Sequence, residues 1–340
     1  KPRHRNELPA DSLPLRAGVA NHYSGCLTIE IRVRGKAVFV PSAQVLDRTV
    51  ITTGTWLKIA SVHDERFDKR EFSIDQAPFI EALKQTGLKA DIFTFAQKLP
   101  DIVPRHSYHL EWDNFAVIPI TTFSDWWERR INRAKRKAVK KSAKVGMVVK
   151  QVELNDDLIT GIVGINNEAP VRQGKPFWHF NKSFDAVKSE NSTYPGQNIF
   201  VGAYYQDELI GAVRMICAGG IAHIALILAM TKHHDKRTAN AMIAQSVEAC
   251  AQAGMSHLVY GQYVYNDIES SLTEFKRQSG FEQILVPRYF IPLTRRGEIA
   301  IKLGLHRGFA TRLPKPMLAH LLRWRSRWYA RRLNTNEAGG

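Results

Sequence analysis

Cysteine is scarce here. Cys26, Cys217 and Cys250 each sit alone in an apolar run, without the paired spacing that a zinc site or a disulfide framework requires. A reducing, cytoplasmic setting is the expectation. The chain also lacks any run of about 20 apolar residues, the length a helix needs to cross a bilayer. No charged start, apolar run and small-residue cleavage site marks a leader. Acidic residues are in deficit: 32 Asp and Glu face 48 Lys and Arg, a formal charge of +16 that implies polyanionic company such as nucleic acid, anionic lipid or a phosphorylated substrate. With 44% hydrophobic and 24% charged residues the chain is not of the disordered class. Its 340 residues exceed one ordinary core, so two units, or one repeated unit with a tail, are expected.

Residues 1–21 are Pro- and Arg-rich and read as a basic arm. From Leu27 the pattern alternates as strands, with LTIEIRV, a turn at Gly35, KAVFVPSAQVL, a turn at Asp47 and Arg48, and TWLKIASV. A helix over 74–86 closed by Gly87, the strand ADIFTFAQ and the strand HLEWDNFAVIPI complete a first unit, 22–123. A basic linking helix over 124–144, capped by Ser124, leads to a second unit, 145–294. There NIFVGAYYQ and ELIGAVRMICA flank a turn at Asp207, followed by IAHIALILAMT, a helix over 238–253 capped by Gly254, SHLVYGQYV, a helix over 269–278 and QILVPRYFIPLT. The halves share a measure: Asp68-Lys69-Arg70 precedes Gly87 by the same 19 residues that separate Asp235-Lys236-Arg237 from Gly254. Element order and spacing together predict a duplicated architecture of the α/β (α+β) class, with mixed sheets flanked by helices.

Hairpin, long strand, helix, diverging strand, helix and final strand is the order of the GNAT acyltransferase core. Two such units in tandem, joined by a basic helix, resemble the Fem-type aminoacyltransferases and their GNAT-like relatives. The resemblance is clearest in IFVGAYYQDELIGAVRMI, DKRTANAMIAQSVEACAQAGMSHLVYG and LTEFKRQSGF; it covers 124–294 well and 22–120 by architecture. It implies an acyltransferase with acyl-CoA or aminoacyl-tRNA as co-substrate and no metal. In the Phe275-Lys276 context it implies that Lys276 stabilises charge developing during transfer. It also implies a tyrosine after the diverging strand that protonates the leaving group. Alternation places Tyr263 and Tyr265 on one face and Tyr260 on the other, which prefers the first two. In place of the glycine-bearing loop that holds a pyrophosphate in CoA-using GNAT enzymes, this chain has His233-His234-Asp235-Lys236-Arg237-Thr238-Ala239. Its helix start can still hold phosphate through free amides, with Lys236, Arg237 and Thr238 as the expected cofactor-binding residues.

Two further bases are candidates. His223 lies in the longest apolar strand and has an imidazole's working range, against the alternative of a packed core histidine. Glu168 lies in NNEAPVRQGKPFWHF, where Arg172, Gln173, Trp178 and His179 suit the wall of an acceptor site, against the alternative of a capping loop. Arg277, next to Lys276, joins Tyr263 as an expected substrate contact.

Two basic blocks remain. Arg129 to Lys144 suits a phosphate backbone or lipid headgroups, and 295–340 reads as a basic amphipathic tail. Within it, 315–332 carries Leu318, Leu321, Leu322 and Trp328 at helical spacing among arginines, the pattern of an interfacial helix on an anionic membrane. The reading is an acyltransferase acting on a cell-envelope or other phosphorylated precursor at the cytoplasmic membrane face. The alternative is a non-catalytic nucleic-acid-binding or membrane-associated protein.

Overall fold

The structure, a computed structural model, describes residues 27–33, 36–69, 77–172, 174–265 and 268–307. Strands β1 (Leu27–Val33), β2 (Lys36–Val45), β3 (Arg48–Thr53) and β4 (Ile59–Val62) form an antiparallel meander. A 3-10 turn at Glu65–Phe67 and helix α1 (Ala77–Gln85) lead to β5 (Ile92–Ala96), which runs parallel to β4. Strand β6 (His109–Pro119) ends the first unit. The basic linker follows as α2 (Phe123–Asp125), a π-helical turn at Trp126–Arg130 and α3 (Arg133–Lys144).

The second unit opens with β7 (Val148–Val152), α4 (Asp156–Asn167), the small hairpin β8 (Val171–Arg172) and β9 (Lys175–Pro176), and α5 (Phe184–Asn191). Then β10 (Asn198–Tyr205), β11 (Glu208–Ala218) and β12 (Ile221–Ala229) form an antiparallel run. A 3-10 segment at Thr231–Lys236 and α6 (Thr238–Gln252) lead to β13 (His257–Gln262), parallel to β12. Helix α7 (Ser271–Gln278), β14 (Glu282–Pro292), α8 (Arg295–Lys302) and a 3-10 turn at Leu305–Arg307 finish the described chain.

Twelve strands make one sheet in the order β1-β2-β3-β4-β5-β14-β6-β13-β12-β11-β10-β7. Read from either edge, an antiparallel meander meets a parallel step crossed by one helix, α1 or α6. Gly87 and Gly254 occupy matching places, each two residues past its helix and each left-handed, at φ 73° and 68°. The units exchange their last strands. β6, from the first, pairs with β13 of the second, and β14, from the second, pairs with β5 of the first. The two exchanged strands pair with each other from Glu282↔Val117 to Phe290↔His109.

Several expectations change. TWLKIASV is not one strand, because Gly54 turns the chain at φ 95° where a Cβ would lie 2.1 Å from the Leu57 carbonyl oxygen. The strand before it, RTVITT, pairs in its place. β7, α4 and α5 escaped sequence reading altogether. The linker is no single helix capped by Ser124: Thr122 caps α2, Asn132 caps α3, and the chain is extended at Ile131 between them. The break is fixed from outside. Trp126 is fully buried and its indole N–H donates to the Ser279 carbonyl at 3.0 Å, while the Asn132 N–H donates to the Gln278 carbonyl at 3.0 Å.

The segment from Arg295, read as tail, begins inside the fold. Thr294 caps α8, whose Ala300 and Ile301 bury against Leu57, Ile92 and Phe290. The expected membrane segment 315–332 lies outside the described residues. Gly297 sits so close to the sheet that a Cβ would meet the Asp91 carbonyl oxygen at 1.9 Å. Gly297→Ala should therefore destabilise the whole molecule by about 1–3 kcal/mol in urea unfolding, as overpacking does. An unchanged midpoint would show that α8 is an appendage.

Candidate functional site

Strands β12 and β13 pair only over Ile221↔His257, Ala222↔Leu258 and His223↔Val259. Beyond that register β12 runs on to Ala229 beside β11 while β13 turns toward β6. The strands splay and leave a slot between their backbone edges.

At the mouth of the slot stands Lys276, on α7. Ser270 caps this helix with a reciprocal hydrogen bond to Thr273, and the helix drives Lys276 into the interior, where it is 0% exposed. Its Nζ donates to the Gln262 carbonyl at 2.5 Å and lies 4.6 and 4.9 Å from the ring centres of Tyr260 and Tyr265. No carboxylate pairs with it among the described residues. Burial alone pulls its pKa down to about 8. The aromatic faces and one carbonyl stabilise a cation that water no longer reaches.

Alternation separated Tyr260 from Tyr265, yet both line this site. Gly261 is left-handed at φ 57° and ends the period-two pattern, so the chain folds Tyr265 back until its hydroxyl is 2.8 Å from where a Gly261 Cβ would lie. Burial raises the Tyr260 pKa to about 12. Tyr265 remains 45% exposed. The Tyr263 backbone N–H donates to the Asn114 carbonyl, which fastens this loop to β6. Arg277 points outward and pairs with Glu274.

The start of α6 faces the same region. Arg237 is its N-cap in the left-handed region at φ 60°, with no side-chain cap on the helix. Thr238 is 3% exposed, and its hydroxyl has no hydrogen-bond partner among the described residues. Lys236 lies over the Tyr205 ring at 4.1 Å and 3.4 Å from Asp235. Lys135, missed within the basic block, comes from α3 and sits 4.7 Å from the Phe275 ring. Burial lowers its pKa and nearby Arg237 lowers it further. Its signal was a lysine one turn into a helix whose neighbours could not be known from sequence. Lys135 therefore lies against Phe275 of α7 and within electrostatic reach of Arg237 at the start of α6.

The two expected bases stand elsewhere. His223 shares its sheet face with Val259, opposite Tyr260, and packs edge-on against Phe67 of the first unit at 5.7 Å. Burial, then Arg66 and Lys98, lower its pKa to about 4, so it is a neutral packed ring. Glu168 accepts from the Thr231 and Lys232 backbone N–H groups, each at 2.7 Å, and from Arg172 at 3.2 Å. Burial opposes ionisation there, but those amides and Arg172 outweigh it and hold the pKa low. Glu168 is a clamp between the 166–180 loop and the segment before α6. Arg172 also donates to the Ala229 and Ile165 carbonyls and stacks on Phe177 at 4.0 Å. Trp178 is exposed and lies against His179, whose ring is buried and has its pKa lowered to about 3 by burial, Lys182 and Arg172. Gln173 lies outside the described residues.

No known family profile and no curated protein matches the sequence. Solved structures do match. FemX superposes with a TM-score of 0.52 at 9% identity over 82% of this chain and 90% of FemX. The C-terminal domain of a putative lysylphosphatidylglycerol synthetase from Agrobacterium fabrum gives 0.48 at 13% identity over 76% and 84% of the two chains. L-PGS from Bacillus licheniformis gives 0.49 at 13% identity over 74% and 83%. The fold is a tandem GNAT-like fold of the Fem type.

Lys276 leaves a mark on stability. Its pKa falls from 10.5 in the unfolded chain to about 8 in the fold, so between these values the unfolded state binds more protons and stability rises with pH. Below pH 8 the fold carries the full cost of a buried cation, roughly 3 kcal/mol from the shift. In urea titrations Lys276→Met should exceed the wild type in stability at pH 7, and the gap should close from pH 8 to 10.5. A gap that does not change with pH would contradict the burial.

Proposed function

We propose that this chain is an acyltransferase. It takes an acyl or aminoacyl group from a phosphate-bearing carrier, acyl-CoA or aminoacyl-tRNA, to an amine or hydroxyl of a cell-envelope or other phosphorylated precursor at the cytoplasmic membrane face. The observation that carries this reading is Lys276, a buried lysine without a counter-ion among the described residues, held by Tyr260, Tyr265 and one carbonyl at the open end of the β12–β13 slot. A buried cation without an anionic partner is costly in a merely structural role and useful where negative charge develops.

In the reaction the acyl carbonyl lies in the slot, and attack by the acceptor's lone pair places negative charge on its oxygen. Protonated Lys276 turns from the Gln262 carbonyl to that oxyanion. Tyr265 gives its phenolic proton to the leaving group as the carrier bond breaks and regains one from the acceptor. The carrier's phosphates meet the uncapped start of α6 with Arg237, Lys236 and Lys135 beside it. Arg133, Lys137, Lys140, Lys141 and Lys144 are exposed along α3, which packs against α6. Five surface cations beside one phosphate site exceed what a single diphosphate needs and favour the longer polyanion, an aminoacyl-tRNA.

No helix among the described residues is long and apolar enough to cross a membrane. Work at the membrane face would rest on peripheral contact, for which the basic segment 315–332 is the candidate.

Mass spectrometry of acceptor fractions incubated with the protein and either acyl-CoA or charged tRNA should show transfer dependent on Lys276. Lys276→Met should lower kcat by roughly 10²–10³, the scale of losing one oxyanion contact. Because Lys276 must be protonated, kcat/KM, which reports the free protein, should fall as pH rises through about 8. Transfer from neither donor, or a variant as active as the wild type, would refute the proposal.

A further inference from the structure

Far from the slot, on the opposite face of the sheet, the fold gathers three metal-ligating side chains. His109 and Glu111 stand two apart on β6 and share one face. Helix α8 crosses that face and turns at Gly304, left-handed at φ 65°, which brings His306 down onto Glu111. One ligand atom from each of the three lies within 4.8 Å of the others.

The environment is more ordered than a surface ion pair. The His306 side chain is 1% exposed, its ring packed on Phe290 at 4.7 Å and edge-on to His109 at 5.4 Å. Its Nδ1 is 3.5 Å from the Ala300 carbonyl, and its Nε2 meets Glu111 Oε1 at 2.5 Å. A backbone carbonyl behind one ring nitrogen, with the other nitrogen aimed at a carboxylate and a second imidazole, is how proteins orient a histidine for a metal. Arg307 Nε and His109 Nε2 reach the same Oε1, at 2.7 and 3.4 Å. All three contacts to Glu111 thus fall on one oxygen. His109 and Arg307 are solvent-exposed and can move.

We propose that His109, Glu111 and His306 form a binding site for a first-row divalent ion, zinc foremost, that clips the α8 segment to β6. Two imidazoles and one carboxylate, without a thiolate, suit zinc and its neighbours over magnesium or calcium. Bringing the donors to about 2.0–2.2 Å from an ion requires a swing of exposed His109 and the parting of Glu111 from His306 Nε2. Water completes the coordination on the exposed side. Arg307, which holds the carboxylate in the metal-free state, gives way to the ion.

The test is zinc titration by calorimetry on chelator-stripped, dialysed full-length protein, with metal content by mass spectrometry and thermal unfolding beside it. The wild type should bind one zinc ion that His109→Ala and Glu111→Gln lose, each weakening affinity roughly tenfold or more. Zinc should raise the Tm of the wild type and leave that of both variants unchanged. His109 is exposed, so its variant folds even if Glu111→Gln does not. Absence of stoichiometric zinc binding, or binding as tight in His109→Ala as in the wild type, overturns the site and reduces the cluster to a hydrogen-bonded latch.

Discussion

The ladder between β6 and β14 is the contact on which the rest of the molecule depends. Each strand ends one unit and lies next to the parallel step of the other, so neither unit completes its own sheet. The exchange makes one sheet of twelve strands and fixes the neighbours of β13 and β14. β13 diverges from β12 because its other edge is held by β6, a strand of the first unit. α7 enters β14 through Gly280 and Phe281, so the helix carrying Lys276 is drawn to the splay by the ladder that joins the units.

The two parallel steps have diverged in what fills them. In the second unit the splay meets Lys276, Tyr260 and Tyr265, with cations behind them. In the first, Glu65, from the 3-10 turn before α1, reaches the end of β5: it accepts from the Ala96 N–H at 2.7 Å and pairs with Arg288, which also binds Asp113 at 2.7 Å. There a carboxylate is paired with a half-buried arginine. Its position between the halves is structural: the 3-10 turn it begins also sets Phe67 against His223 across the units.

Much of this was legible in the sequence, for reasons that can be stated. Long alternating runs such as ELIGAVRMICA and the helix before Gly254 are patterns whose period is set by burial, and they appear where expected. The matching interval to Gly87 and Gly254 reflected real equivalence, because both glycines end the helix that crosses a parallel step. Lys276 stood out through the Phe275-Lys276 pair, but its burial against Tyr260 and Tyr265 depends on the fold. What failed depended on partners remote in sequence. The break in the linker comes from Trp126 and Asn132 bonding to residues about 150 positions away. Tyr260 was set aside because alternation was carried through Gly261, whose left-handed turn ends it. Glu168 and His223 had the right chemistry for a base, but the roles they take follow from amides and rings that only the fold brings to them. The strand exchange itself leaves no mark in local pattern.

The account turns on a buried ammonium group waiting for an anion. The direct measurement is the titration of Lys276 by NMR of its ¹³Cε–Hε signals, assigned with the Lys276→Met variant, with and without a non-transferable donor analogue. The account predicts a pKa of about 8 in the free protein and a rise when the anionic donor enters the slot. A pKa near 10.5 that does not respond to donor would contradict it.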